Sequence, residues 1–189
     1  MKNIHFTSPM DVFIVSIKTS FLTSIIFTSP IWLYQFWTFL EPALYKKEKR
    51  LLKPFAVSSI ILFLLGTAFC FYVVLPSALD FLLKIGTEVG SPMITITDYM
   101  SLFTVFILGF GFIFETPVIL IMLSLLGIIS AKDLSSQRRF VFVAILIVAA
   151  LLTPPDPFSQ VAMAIPLYIM FELSIFLIHL IARKKGEKL

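Results

Sequence analysis

Residues 33–54, LYQFWTFLEPALYKKEKRLLKP, constrain the fold of this chain more than any other stretch. Aromatic side chains come first, then a proline, a cluster of basic residues and a second proline. Aromatic belts mark the membrane–water interface, and loops rich in Lys and Arg stay on the cytoplasmic side. The sequence therefore predicts that the chain crosses a membrane inward before this stretch and outward after it. Trp32, Tyr34 and Trp37 are predicted to form the interfacial belt.

The composition also indicates an integral membrane protein. Of the 189 residues, 59% are hydrophobic and 14% are charged, whereas soluble domains average about 45–50% apolar and about 25% charged residues. We expect a single all-α membrane domain over residues 1–189. The net charge of +4 does not indicate nucleic-acid binding, because the basic residues lie in short loops beside apolar runs. A lone cysteine, Cys70, excludes an intrachain disulfide and a cysteine-rich metal site, and no cofactor is predicted.

The apolar runs predict five transmembrane helices, several of them interrupted by proline. Pro30 should remove a hydrogen bond to the carbonyl of Ile26 and kink the first helix. Residues 78–86 are expected to form a short amphipathic helix on the membrane surface, and Thr97 or Asp98 should cap the third span. The predicted spans are residues 11–37, 55–76, 99–128, 140–152 and 161–182. The fourth is shorter than the roughly 20 residues that a hydrocarbon core requires, so it should thin the bilayer locally or lie within protein.

The basic residues favour one orientation. Three loops carry most of them: five in 40–53, three in 130–139 and four in 183–189. Only three lie on the other side: Lys2, Lys18 and Lys84. This bias predicts an extracytoplasmic N-terminus and a cytoplasmic C-terminus, with Lys18 extending its ammonium group to the interface. Because the chain has no good signal peptide, a further N-terminal span is expected to be missing from it.

Glu48, within YKKEKR, is the first candidate for a functional side chain. If the loop continues helically, its one-turn neighbours are Leu44, Tyr45, Leu51 and Leu52, while the adjacent cations face elsewhere. A carboxylate on such an apolar stripe is a good acceptor for a guanidinium group. The alternative is a solvated glutamate that offsets the neighbouring cations, and the sequence leaves both interpretations open.

Glu115 is the second candidate, because an intramembrane carboxylate is costly and indicates function by default. Gly111, one turn away, should leave space beside it. Pro117 frees the carbonyl of Ile113, which predicts a polar notch within the bilayer. The alternative is a structural hydrogen bond to a neighbouring helix.

Two more acidic residues attract attention. Asp156 precedes Pro157, a pattern typical of a helix N-cap followed by proline at the first helical position, and this structural role is the favoured one. Glu172 lies in the last span without an identifiable partner. The only histidines, His5 and His179, lie near the chain ends, and no hydrolase, zinc-protease or phosphate-binding motif is present. We therefore do not expect an enzyme.

Three separated motifs resemble those of the TatC family, the large subunit of the twin-arginine protein translocase. They are SPIWLYQFWTFLEPALYKKEKR, the FETP around Glu115, and LLTPPDPFSQ followed by IPLYIMFE. The resemblance covers essentially the whole chain. It implies a six-span fold with both termini cytoplasmic, of which this chain lacks the first span and the preceding cytoplasmic segment.

The resemblance also implies a function and a set of site residues. The family binds signal peptides with two consecutive arginines and moves folded proteins on the proton-motive force, together with single-span TatA- and TatB-type partners. Glu48 would receive the arginine pair, and Phe39 would contribute to the same site. Glu115 would face a concave, water-accessible pocket. Asp156 and Gln160 would serve partner contact in the last extracytoplasmic loop.

These expectations describe a receptor scaffold in a plasma (inner) or thylakoid-type membrane, in contact with lipid and oligomeric within its complex. Five spans are too few for a pore that passes a folded domain, and a short fourth span would thin the membrane beside Glu115. Two alternatives stay open. One is a proton-coupled small-solute transporter with Glu115 as relay, and the other is a purely structural subunit whose acidic positions tolerate amides.

Overall fold

The computed structural model describes residues 9–43, 49, 52–89, 95–152 and 157–185. Within these ranges the chain is almost entirely helical, which confirms the predicted all-α class. The helices are α1 (Pro9–Leu40), α2 (Leu52–Phe69), α3 (Leu75–Val89), α4 (Ile96–Phe114), α5 (Thr116–Leu125), α6 (Ala131–Ser136), α7 (Arg138–Leu152) and α8 (Pro157–Lys185). A short 3₁₀ turn, Glu41–Ala43, follows α1, and a π-helical segment, Cys70–Val74, joins α2 to α3.

Four of the described helical segments are long and apolar enough to cross a membrane. They are Met10–Leu40, Leu52–Asp80, Ile96–Leu125 and Met163–Ile181. Helix α7, which contains the fourth predicted span, is also apolar but has only 15 residues, against the roughly 20 that span a hydrocarbon core. The sequence also predicts that this helix is short. Because α7 is not among the four long segments, the count of five spans stays a prediction.

Helix α1 continues through Pro30 because hydroxyl groups compensate for the missing amide donor. The Ser29 hydroxyl donates to the carbonyl of Ile26 at 2.7 Å, which is the carbonyl that the proline leaves without its helical partner. The Thr28 hydroxyl donates to the carbonyl of Ser24, also at 2.7 Å. Such local bonds allow a proline to persist within a transmembrane helix.

The predicted aromatic belt is wrong for one of its members. Tyr34 is exposed, as an interfacial residue should be, but Trp37 is buried among the helices. Trp32 is half-buried, and its ring meets the edge of the Phe63 ring at a centroid distance of 5.3 Å. The side of α1 on which each tryptophan lies therefore decides whether it is buried, and both indoles contribute to helix packing.

The caps of α4 and α6 use the same side-chain chemistry. Thr95, rather than the predicted Thr97 or Asp98, caps α4, because its hydroxyl oxygen accepts the backbone N–H of Asp98 at 3.2 Å. Ser130 and Asp133 form a reciprocal capping box at the start of α6. The hydrogen bonds from Ser130 hold the pKa of Asp133 below its ordinary value, so this cap stays ionised at neutral pH.

The helices form two packed groups that meet through α4 and α5. Helices α1, α2 and α4 pack against one another, and α8 packs against α5, α6 and α7. Helices α2 and α4 approach closely, because a Cβ atom at Gly66 would lie 2.7 Å from the carbonyl oxygen of Phe110. At Gly111 a Cβ atom would lie 2.7 Å from the ring of Phe63. The space predicted beside Gly111 is therefore filled by an aromatic ring.

We expect the substitution Gly66→Ala to separate α2 from α4, because the added methyl group meets backbone that cannot move without shifting a helix. Overpacking of this kind costs about 1–3 kcal/mol of unfolding free energy. Denaturant unfolding in detergent micelles measures the effect, with Leu65→Ala on the exposed face of the same helix as control. Equal stability of Gly66→Ala and the wild-type chain would contradict the close contact.

Candidate functional site

Glu115 occupies a break between two collinear helices. Helix α4 ends at Phe114 and α5 begins at Thr116, with Pro117 in its first turn. Pro117 has no N–H to continue the hydrogen-bond ladder of the helix. The backbone N–H of Glu115 donates to the carbonyl of Phe112, three residues earlier, at 3.1 Å. The break lies within the segment that is long enough to cross a membrane. The carboxylate therefore lies well inside the apolar layer.

A chain of hydrogen bonds joins this carboxylate to two other helices. The indole N–H of Trp37 in α1 donates to the hydroxyl oxygen of Ser59 in α2 at 2.8 Å. The Ser59 hydroxyl in turn donates to Oε2 of Glu115. All three residues are buried, with Trp37 2% and Glu115 4% exposed. The structural hydrogen bond that the sequence left as an alternative is therefore present.

The surroundings of Glu115 are apolar. Trp37 packs with Ala56, Val118 and Met122 in one buried cluster. The second carboxylate oxygen, Oε1, is buried and has no hydrogen-bond partner among the described residues. The resemblance implied a water-accessible pocket at this position, but the structure encloses the side chain. An unpaired oxygen in such surroundings retains the capacity to accept one more donor.

Of the other predicted site residues, the structure describes Phe39 and Gln160, which lie in different helices. Phe39 is 79% exposed in the last turn of α1. Glu41, two residues later, forms an ion pair with Lys49 at 3.4 Å, so Lys49 lies at this end of α1. Glu48 and Asp156 lie outside the described residues.

Gln160 lies in the first turn of α8, against the middle of α7. Its amide nitrogen Nε2 donates to the carbonyl of Leu146 at 2.9 Å. Helix α8 begins at Pro157, where the sequence predicts a helix to start. Gln160 thus ties the start of the last helix to α7, and the structure does not bring it to Glu115 or Phe39.

A polar cluster that the sequence did not predict surrounds Glu172. Its Oε2 atom accepts a hydrogen bond from Nη2 of Arg138 at 2.9 Å, and its Oε1 atom accepts one from the Tyr168 hydroxyl, also at 2.9 Å. Tyr168 precedes Glu172 by one helical turn, a spacing visible in the sequence. Arg138 is 34 residues away, so only the packing of α7 on α8 reveals it as the partner.

The Arg138–Glu172 contact shows how far α7 extends along α8. Arg138 is the first residue of α7, yet its partner Glu172 lies near the middle of α8. Beyond Glu172, α8 continues for about 20 Å at a rise of about 1.5 Å per residue. Helix α7 therefore covers little more than half of α8, and short helix α6 packs on part of the remainder.

Comparison with known proteins identifies the family of this chain. A family profile described as Sec-independent protein translocase protein (TatC) matches residues 1–166. The chain belongs to the TatC family. It is 43% identical over 170 residues to the Sec-independent protein translocase protein TatC of Escherichia coli strain K12, covering 90% of this chain and 66% of that relative. It is 41% identical over 182 residues to the TatC protein of Aquifex aeolicus, covering 95% of this chain and 75% of that one.

Solved TatC structures share the fold. A crystal structure described as the twin-arginine translocase receptor TatC in the detergent DDM matches with a TM-score of 0.84 and 39% identity. The match covers 93% of this chain and 79% of that one. Together with the apolar helices, it identifies a multi-pass membrane protein. The chain spans about two thirds of the length of the Escherichia coli and Helicobacter pylori TatC proteins that it matches, at 66% and 68%.

We expect Ser59→Ala to destabilise this TatC chain by about 1–3 kcal/mol, because it leaves the Trp37 indole N–H and a Glu115 oxygen buried without partners. Equilibrium unfolding in detergent micelles provides the measurement. The matched control is Ser58→Ala, since Ser58 is exposed on the same helix and should be nearly neutral. If both variants unfold alike, the hydrogen-bond chain does not hold the three helices.

The Arg138–Glu172 pair should couple α7 to α8 only modestly, because the side chains are 47% and 34% exposed. A double-mutant cycle with Arg138→Gln and Glu172→Gln should give a coupling free energy of about 0.2–1 kcal/mol. The control is a second cycle that combines Arg139→Gln with Glu172→Gln, and it should give no coupling free energy. Equal coupling at both arginines would indicate a general charge effect.

Proposed function

We propose that this chain is the signal-peptide receptor and scaffold subunit of a twin-arginine translocase, which exports folded proteins on the proton-motive force. The observation that carries the proposal is its match to solved twin-arginine translocase receptors, with a TM-score of 0.84 over 93% of the chain. Because the chain covers 66% of its Escherichia coli relative, the activity of the whole translocase belongs to the proposal. The proposal also includes TatA- and TatB-type partners and an oligomeric state within the complex.

The receptor site is proposed at the end of α1 that meets the basic loop. Phe39 offers an exposed aromatic ring there, and the ion pair with Glu41 holds Lys49 at the same end. Glu48 directly precedes Lys49 in the sequence and is the proposed acceptor of the arginine pair. A carboxylate binds a guanidinium fork through two parallel hydrogen bonds, whereas lysine offers only a point charge. Such a site discriminates paired arginines from paired lysines.

Glu115 is proposed as an intramembrane polar site that supports the scaffold. Its buried hydrogen bond from Ser59 ties α2 to the α4–α5 break, and its Oε1 atom is a potential acceptor for a polar group of a docking helix. The burial of Glu115 argues against a hydrated proton path at this residue. The relatives that match this chain lend no support to a small-solute transporter.

Asp156 and Gln160 are proposed to serve partner contact at the extracytoplasmic start of α8. The bond from Gln160 to the backbone of Leu146 supports this by holding α8 against the short helix α7. The proposed orientation places the C-terminus in the cytoplasm and the N-terminus of this chain outside, in a plasma (inner) or thylakoid-type membrane. The concentration of basic residues in three loops supports that orientation.

We expect Glu48→Ala to weaken binding of a twin-arginine signal peptide by about 10–100-fold, since a hydrogen bond to a charged group contributes about 1.5–3 kcal/mol. Fluorescence anisotropy of a labelled peptide, with the chain in lipid nanodiscs, gives the Kd. Phe39→Ala should weaken binding less, by loss of aromatic contact alone.

Two controls make the test specific. Asp80→Ala removes an exposed carboxylate of α3, outside the proposed site, and should change the Kd little. A peptide with two lysines in place of the arginines should bind weakly to the wild-type chain and be insensitive to Glu48→Ala. Equal effects of Glu48→Ala and Asp80→Ala would remove Glu48 from the site, and no binding by the wild-type chain would overturn the receptor proposal.

A further inference from the structure

A groove of about 360 Å³ lies between α1, the junction of α2 with the π-helical segment, and α4. Its walls are mainly apolar, and Leu22, Ile26 and Ile107 form its floor. Thr19 and Tyr72 line its rim and are exposed at the surface of the bundle. The groove opens at the surface of the bundle that the described helices form. None of the proposed receptor residues contributes to the groove.

A lysine stands at one end of this groove. Lys18 precedes the lining residue Thr19 and lies one helical turn before Leu22 on α1. Its Nζ atom donates to the hydroxyl oxygen of Ser101 in α4 at 2.7 Å. The Ser101 hydroxyl donates onward to the carbonyl of Thr97 at 2.7 Å. The ammonium group is thus held between the two helices that form the sides of the groove.

The depth of Lys18 matches the level of lipid phosphates. Lys18 lies about 33 Å before Leu40 along α1, and Ser101 lies about 36 Å before Leu125 along α4 and α5, at a rise of about 1.5 Å per residue. A hydrocarbon core is about 30 Å thick. Both residues therefore reach the membrane boundary opposite the basic loops, while the groove extends from them into the apolar layer.

The charge of Lys18 has no acidic partner within the part of the chain that the structure describes. Its bond to Ser101 is to a neutral hydroxyl, and the carboxylates of Glu41 and Glu172 pair with Lys49 and Arg138. An ammonium group has three donors, of which Ser101 engages one. A half-buried cation at a membrane boundary is stabilised by an anion, and lipid phosphate is the anion present there.

We propose that this groove binds one phospholipid, with its phosphate on the Lys18 ammonium group and an acyl chain along Leu22 and Ile107. The Lys18 cation beside apolar walls favours this occupant over a partner helix, because a phospholipid presents an anion and an apolar chain side by side. Exposed Tyr72 at the rim is typical of side chains at headgroup level.

Native mass spectrometry of the purified chain, titrated with phosphatidylglycerol, tests the proposal. Lys18→Met should weaken lipid binding about five-fold, because one lysine near a membrane surface contributes about 1 kcal/mol. Lys18→Arg keeps the charge and should bind as the wild-type chain does. Lys84→Met removes a cation from an exposed position of α3 and is the matched control.

Two further arms separate phosphate binding from acyl-chain binding. Thr23→Phe fills the groove and should reduce retention of phosphatidylglycerol while leaving Lys18 in place. Glycerol phosphate without acyl chains, and diacylglycerol without phosphate, should each bind much more weakly than the intact lipid. Equal loss in Lys18→Met and Lys84→Met, or full retention in Thr23→Phe, would overturn the proposal. So would binding of glycerol phosphate as tight as that of the lipid.

Discussion

A carboxylate buried at a helix break holds three helices of this chain at one point. Glu115 interrupts the segment formed by α4 and α5, and its partner Ser59 also accepts the indole N–H of Trp37. In an apolar layer, water cannot replace any of these bonds. The relative positions of α1, α2 and the α4–α5 pair therefore depend on a short polar chain that leaves one oxygen of Glu115 unpaired.

Glycine packing keeps that polar chain at bonding distance. Ser59, Phe63 and Gly66 follow one another at helical spacing on a single face of α2. Phe63 fills the space above Gly111 of α4, and Gly66 lies against the α4 backbone. Close approach of helices through small residues is a general feature of membrane proteins. Here it brings the Ser59 hydroxyl to the carboxylate, so packing and hydrogen bonding in this seam reinforce each other.

Local patterns predict the helices of this chain well, and contacts between helices much less. Apolar runs and proline positions indicated the membrane helices, the amphipathic helix α3 and the start of α8 at Pro157. The burial of Trp37 and the Arg138–Glu172 pair depend on which helices become neighbours, and no spacing in the sequence encodes that. The sequence pattern singled out Glu48 and Asp156, and the family resemblance supplied their receptor and partner roles. Both residues lie outside the described residues, so these roles stay proposals.

The cations of this chain are compensated in different ways at the two membrane boundaries. Near the basic loops, protein carboxylates are available: Lys49 pairs with Glu41, and Arg138 pairs with Glu172. At the opposite boundary, Lys18 bonds to a hydroxyl and has an apolar groove beside it. The first arrangement anchors Lys49 and a short helix to the bundle. The second leaves a cation without a carboxylate partner among the described residues, and a lipid phosphate is the anion that we propose for it.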